Sequence, residues 1–433
     1  MSQAAGVTAG RRAGLFGHPP GLTVLFLTQT WAEFSYFGLQ AMLVYYMTQQ
    51  LALPQAQASL IYGAYGAAAF FSPFVGGIIA DRYLGKTRSV LLGGTMMMLG
   101  HFAMAFESML FPALALVALG NGLFIPPLAV QVGRLYQDGD TRRDQAFSAY
   151  YMGINLGGFL APLVCGTLGE KLGWHWGFAA AGIGMLVGLA IYISFRRHVP
   201  GDEAPVRGAR QARAPLSGTD RRALFTLLRV MGIVVLFRIA YEQSGNTIAL
   251  WVSDRTDRVL RIGGQAWEIP ATWFQSINPL LIIMLTPFLV HYWRRRREAG
   301  YEVNLFRRMA LGCAIAGAAS IVMVLAALDF RAEGPVSALW VVAYFGLLTI
   351  GELLVIPVGL SLFGTLSPVQ IAATMMGAWY IAKFLGSLAA GVIGTLWLRI
   401  PAEWFFAIGA SATFLASALL FHLGRGRHTS TES

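Results

Sequence analysis

Five ionisable residues stand inside long apolar runs of this chain: Glu33, Arg238, Glu242, Glu352 and Lys383. A charge held away from bulk water is costly, so it needs either a partner or a task. Gln29, Glu33, Tyr36 and Gln40 follow one another at steps of four, three and four, which puts them on one polar helix face lining a cavity. Arg238 and Glu242 are one helical turn apart, and Lys383 comes one turn after Trp379. A carboxylate that can trade a cation for a proton is a proton carrier. Glu33 and Glu242 fit that role, since each could exchange Arg238 for a proton. Arg238 is expected to pair with Glu33 or Glu242, and Lys383 with Glu352 or with a carboxylate on a ligand. No nucleophile–base pair or metal-ligand cluster suggests an enzyme, and Cys165 and Cys313 sit in apolar runs with no metal spacing.

The elements that carry these residues must be membrane spans. The chain of 433 residues is 56% hydrophobic and only 12% charged, against about 25% charged in ordinary soluble proteins. Twelve runs are long enough to cross a bilayer, at 22–49, 56–80, 88–109, 111–136, 144–168, 175–196, 224–252, 271–293, 305–328, 336–364, 370–397 and 402–424. Pro126, Pro127, Pro162, Pro279 and Pro357 are expected to favour kinks. The net charge of +11 could suit nucleic acid, but its placement argues for a membrane. With a cytoplasmic N-terminus, 24 of the 32 Lys and Arg fall in inward segments and six in outward ones, the remaining two being Arg238 and Lys383. This asymmetry places both termini inside, in the inner (cytoplasmic) membrane. Residues 1–20 read as a flexible leader, 21–197 as a first six-helix bundle and 198–222 as a basic cytoplasmic linker. A second bundle follows over 223–424, with a tail over 425–433. No nucleotide-binding loop is present, which argues against ATP as the energy source.

Short motifs sharpen this layout. The loop Gly76-Gly77-Ile78-Ile79-Ala80-Asp81-Arg82-Tyr83-Leu84-Gly85-Lys86 resembles the loop after the second helix of the major facilitator superfamily, where Asp81 and Arg82 would latch the cytoplasmic face. The run Phe147 to Gly157, with Tyr150-Tyr151 and Ile154-Asn155, resembles the helix 5 signature of the proton-dependent oligopeptide transporter family. Phe34-Ser35-Tyr36-Phe37-Gly38, Tyr241-Glu242-Gln243, Gln275 to Pro279, Gly351-Glu352 and Gly377-Ala378-Trp379 extend the likeness through both halves. The resemblance implies an all-α major facilitator fold of twelve transmembrane helices in two six-helix bundles. It also implies uptake of di- and tripeptides coupled to inward proton flow by alternating access, with no cofactor beyond the proton gradient. Glu352 would receive the peptide amine, Asn155 and Asn278 would hold its backbone, and Tyr36, Tyr65 and Tyr151 would add hydroxyls, although packing accounts for the tyrosines as readily. Trp379 would be a pocket wall.

The departures bear on chemistry. The family's helix 1 acids are replaced by Gln29 and Ala32, its arginine by Glu33, and two further cations by Gln40 and Ile125. The family's carboxylate clamp therefore cannot be carried over, while positive charge stands instead at Arg238 and Lys383. A carrier or exporter of non-peptide amines, metabolites or drugs on the same fold is the alternative, and a non-transporting nutrient sensor a further one. The expected partners are a small peptide or amine-bearing substrate, protons and the lipid bilayer, with no nucleic acid, and the chain is expected to act as a monomer.

Overall fold

The computed structural model describes residues 17–137, 140, 142–201, 217–301, 304–367 and 372–425. Most of the leader, the middle of the basic linker and most of the tail lie outside the described residues.

Long apolar runs become helices because a chain in lipid must satisfy its own backbone polar groups. The first half is built from α1 (Pro20–Tyr45), α2 (Gln55–Ile79), α3 (Lys86–Ala103), α4 (Leu110–Gly133), α5 (Arg142–Ala161), α6 (Thr167–Leu172) and α7 (Trp174–Ser194). The second holds α8 (Gly218–Tyr241), α9 (Thr247–Arg255), α10 (Ile277–Glu298), α11 (Leu305–Glu333), α12 (Ala338–Leu366), α13 (Ala372–Gly394) and α14 (Ala402–Arg425). A π turn at Pro162–Gly166 joins α5 to α6, and a 3-10 segment at Glu242–Gly245 joins α8 to α9. Counting each joined pair as one rod is consistent with the expected twelve helices. Among the described residues, nine rods are long and apolar enough by themselves to cross a membrane.

Within the first half α1 packs on α5 and α7, and α4 on α2 and α3; within the second, α11 packs on α12 and α14, and α8 on α13 and α14. Between the halves, α2 lies along α13 and α5 along α10. The start of α1 and the end of α14 mark one end of the molecule, called here the near end. The turn between α1 and α2 marks the far end.

Several local outcomes differ from the expected pattern. The span expected over 88–109 ends its helix at Ala103, and a separate 3-10 turn follows at Glu107–Met109. Pro279 falls in the first turn of α10, where a missing N–H leaves no bond unmade, so it demands no kink. Pro126, Pro127 and Pro357 lie within helices that continue past them. At the far end, a hairpin unforeseen in the sequence pairs β2 (Val259–Ile262) with β3 (Gln265–Glu268) around Gly263 and Gly264, both at positive φ. A two-residue parallel bridge joins β1 (Thr256–Asp257) to β4 (Val336–Ser337).

Candidate functional site

The site grows from the interruption between α8 and α9. The run Gln243-Ser244-Gly245-Asn246 is polar and small, and the backbone leaves α-geometry there with Asn246 at φ −114° and ψ −93°. Glu242 opens this 3-10 segment, one turn after Arg238 in the last turn of α8. The two side chains are 7% and 4% exposed and form an ion pair. Of the two partners open to Arg238 in the sequence, the structure therefore selects Glu242, which the helix already presents at the right spacing. The guanidinium also lies 4.7 Å from the Tyr241 ring centroid and 5.5 Å from that of Phe70, which belongs to α2 in the other half.

Tyr241 links this pair to Glu352 on α12. Its hydroxyl donates to Glu352 Oε1 at 3.0 Å, and Asn278 Nδ2 on α10 donates to Oε2 at 2.8 Å and to the Thr349 hydroxyl at 3.0 Å. Both carboxylate oxygens are held by neutral donors, which fix the group without cancelling its charge.

The expected Lys383–Glu352 pair is not formed. Lys383 sits at the midpoint of α13 and has no ion-pair partner among the described residues. Its ammonium lies 5.1 Å from the Phe70 ring centroid and 5.6 Å from that of Tyr380, within electrostatic range of Glu33, Glu242, Glu352 and Arg238. Glu33 accepts from Gln29 Nε2 at 2.6 Å, and Gln29 in turn accepts from the Tyr150 hydroxyl at 2.7 Å. Glu33 thus belongs to an α1–α5 network and makes no ion pair with Arg238.

The other expected residues fall around this centre with different engagement. Gln40 donates to the Tyr62 hydroxyl at 3.1 Å. Tyr36 and Tyr65 stack with centroids 6.2 Å apart, and both hydroxyls are buried without a partner among the described residues. Asn155 donates to the Tyr151 carbonyl of its own helix at 3.0 Å, while the Tyr151 side chain is 42% exposed. Trp379 is buried edge-to-face against Phe363, with Gly359 directly beneath its ring, so it packs α13 on α12 within one half.

The sequence reading missed the seal at the far end. Glu170 of α6 accepts from the backbone N–H of Ala271 and Thr272 and from the Thr272 hydroxyl, at 2.9, 2.8 and 2.7 Å. Trp273 Nε1 donates to the Thr167 hydroxyl at 2.7 Å, and Arg258 lies 4.0 Å from Glu170. Tyr45 donates to the Ala249 carbonyl, Gln275 to Ala41, Ser276 to Phe159 and Gln55 to Gly394. The α2–α13 seam contains Gly63 against Gly391, where a Cβ on Gly63 would stand 2.6 Å from the Gly391 Cα. The seam continues to Phe71 against Phe384. Beyond it, Phe74, Val75, Ile78 and Tyr83 are exposed, and no hydrogen bond joins the halves at the near end among the described residues. Asp81 and Arg82 are both exposed there. Asp81, 70% exposed, meets Lys86 of its own loop at 3.8 Å and not the opposite half, so the expected latch is not engaged in this conformation.

A family description for the Major Facilitator Superfamily matches residues 25–386. The chain is 33% identical to the peptide transporter YePEPT of Yersinia enterocolitica, covering 88% of each chain. It is 34% identical to a di-/tripeptide transporter of Lactococcus lactis subsp. lactis, covering 91% of this chain and 92% of that one. It superposes with a TM-score of 0.88 on a POT family transporter in complex with 5-aminolevulinic acid, at 25% identity over 96% of this chain and 98% of the other. Taken with the helical order and the motifs on both halves, these matches show that the chain is a multi-pass membrane transporter of the major facilitator superfamily, belonging to its proton-dependent oligopeptide transporter family.

Proposed function

We propose that this protein takes up di- and tripeptides by proton-coupled symport, alternating between states open to opposite faces of the cytoplasmic membrane. The observation that carries the reading is the buried group at the centre. Glu352 is oriented by Asn278 and Tyr241 beside the Arg238–Glu242 pair, between halves sealed at one end only. Glu352 offers an anionic seat to a peptide amine. Asn155 and Asn278 flank the site from α5 and α10, with Tyr151, Tyr36 and Tyr65 on the first half's side and Gln40 farther along α1. Glu242 exchanges Arg238 for a proton, and Glu33 is a second acid that can load from the same path. The Lys and Arg crowd the near end, which supports a cytoplasmic near face with both termini inside and makes the described conformation inward-open. In the outward-open state the near end closes, and Asp81 and Arg82 then have an opposite half to grip. Each chain contains a complete central group, so the monomer is the working unit, and the proton gradient replaces any bound cofactor.

The test is uptake of labelled dialanine into proteoliposomes with and without an acidic exterior. Uptake that requires the gradient supports symport; equal uptake in both supports facilitated passage. No uptake by folded protein favours the second reading, a carrier for other amine-bearing compounds. That reading draws on Gln40 and Ile125, which are neutral where the family places cations.

A further inference from the structure

The charges at the centre do not close among themselves. Three carboxylates, Glu33, Glu242 and Glu352, face two cations, Arg238 and Lys383. Glu242 is committed to Arg238, and Glu352 accepts one neutral donor at each oxygen and forms no ion pair among the described residues. Glu33 is on the opposite half and already accepts from Gln29. Lys383, at mid-length of a membrane helix, is left with aromatic faces and no ion-pair partner among the described residues. A charge at that depth is costly, and a cation–π contact offsets it by only about 0.5 to 2 kcal/mol. The unpaired cation is also held in place. Gly386, one turn after Lys383, abuts Arg238, where a Cβ would stand 2.3 Å from that of Arg238. This contact locks α13 against α8 and keeps the two cations in one patch. Arg238 Nε is itself buried without a hydrogen-bond partner among the described residues. Tyr241 joins the patch to Glu352, its ring beneath Arg238 and its hydroxyl on the carboxylate.

We infer that Lys383 is the residue that receives the substrate's free carboxylate, so that both charged ends of a zwitterionic substrate are read by the second half of the molecule. This rests on the peptide reading above and assigns the subsite that the neutral residues Gln40 and Ile125 leave without a cation on the first half. The substrate class it selects is a compound with a free amine and a free carboxylate; masking the carboxylate should remove the advantage.

The test compares dialanine with dialanine amide by calorimetry on the purified full-length protein. In wild type the amide should bind about tenfold or more weaker, the scale of one charge-assisted hydrogen bond. In Lys383→Gln the ratio of the two Kd values should fall to about one, and Lys383→Arg should restore it. Should Lys383→Gln not fold, Lys383→Met carries the same comparison with an apolar chain of similar length. A ratio unchanged in the neutral variant overturns the inference. So does an equal loss for both ligands, which would make Lys383 a gating partner of Glu33. Wild type that binds neither ligand defeats the peptide reading and this inference together.

Discussion

At the far end, side chains of one half reach mostly backbone atoms of the other: Tyr45 to Ala249, Gln55 to Gly394, Gln275 to Ala41, Ser276 to Phe159, and the N–H groups of Ala271 and Thr272 to Glu170. At the near end, past Phe71 and Phe384, no such bonds join the halves among the described residues. Within each half, by contrast, helices meet through large apolar side chains such as Phe124, Phe178, Phe345 and Phe363, all buried. The difference separates what stays together from what comes apart. Apolar packing resists opening, whereas each far-end hydrogen bond is exchanged for water on opening and contributes only about 0.5 to 1.5 kcal/mol net between neutral groups, or about 1.5 to 3 kcal/mol at the Glu170 carboxylate. A seal made of such bonds can be traded for water and remade more readily than a packed apolar boundary.

The comparison can be broken most completely at its tightest point. Gly63→Val puts a branched side chain where even a Cβ meets the Gly391 backbone. The far end should then fail to close and uptake should be lost. Cysteines placed at Gln49 and Ser253, whose side chains bond at 3.1 Å, should cross-link readily in the parent and hardly at all in the valine variant. Retained cross-linking would mean the seam can shift to absorb the side chain.

Between the two ends lies the buried pair. Arg238→Ala or Glu242→Ala alone leaves an uncompensated charge and should cost about 3 to 5 kcal/mol of stability. The double variant should recover much of that loss in thermal unfolding. The Glu33/Arg238 cycle should be additive within about 0.5 kcal/mol, because no direct contact joins them. In transport, Glu242→Gln should abolish gradient-driven accumulation and leave exchange, which counterflow reads directly. Normal accumulation would remove Glu242 from coupling.

A smaller change sharpens the far end. Glu170→Ala removes three cross-half acceptor bonds and should raise the outward-open population roughly 10- to 100-fold. Thiol labelling of a cysteine at Ser253 measures it; an unchanged rate would show that the other bonds suffice. The smallest effect belongs to the near end. Asp81→Asn should change stability by less than about 1 kcal/mol, because Asp81 is 70% exposed and its contact with Lys86 is local and long, at 3.8 Å. A larger loss in a melting experiment would mean Asp81 is engaged in a state populated at rest.

Much of this organisation was legible beforehand. Long apolar runs are expected to be helices in lipid, and the four-residue step from Arg238 to Glu242 makes their pairing one of the two that the sequence leaves open. The polar face of Gln29, Glu33, Tyr36 and Gln40 likewise follows from helical spacing. What was not legible depends on contacts between distant segments. Whether Lys383 meets Glu352 turns on how α13 is placed against α12, and no spacing rule encodes that. The far-end seal is not legible because the partners of Glu170 are mainly backbone groups, which carry no sequence signal. The break at Glu242–Gly245 did leave a trace, in the small and polar residues of Gln243-Ser244-Gly245-Asn246.

That reliance on backbone partners has an evolutionary consequence. A carbonyl or N–H is present whatever side chain its residue carries, so half of each contact is immune to substitution. Positions such as Ala41, Phe159 and Ala249 can drift without loosening the grip, and paired substitutions are needed only where side chain meets side chain, as at Trp273–Thr167 and Gln49–Ser253. Covariation between homologues should therefore be faint along this boundary even though it is where the machine works. A first half taken from one relative should close on the second half of another, provided that the few reaching side chains, Glu170 and Gln275 among them, are kept.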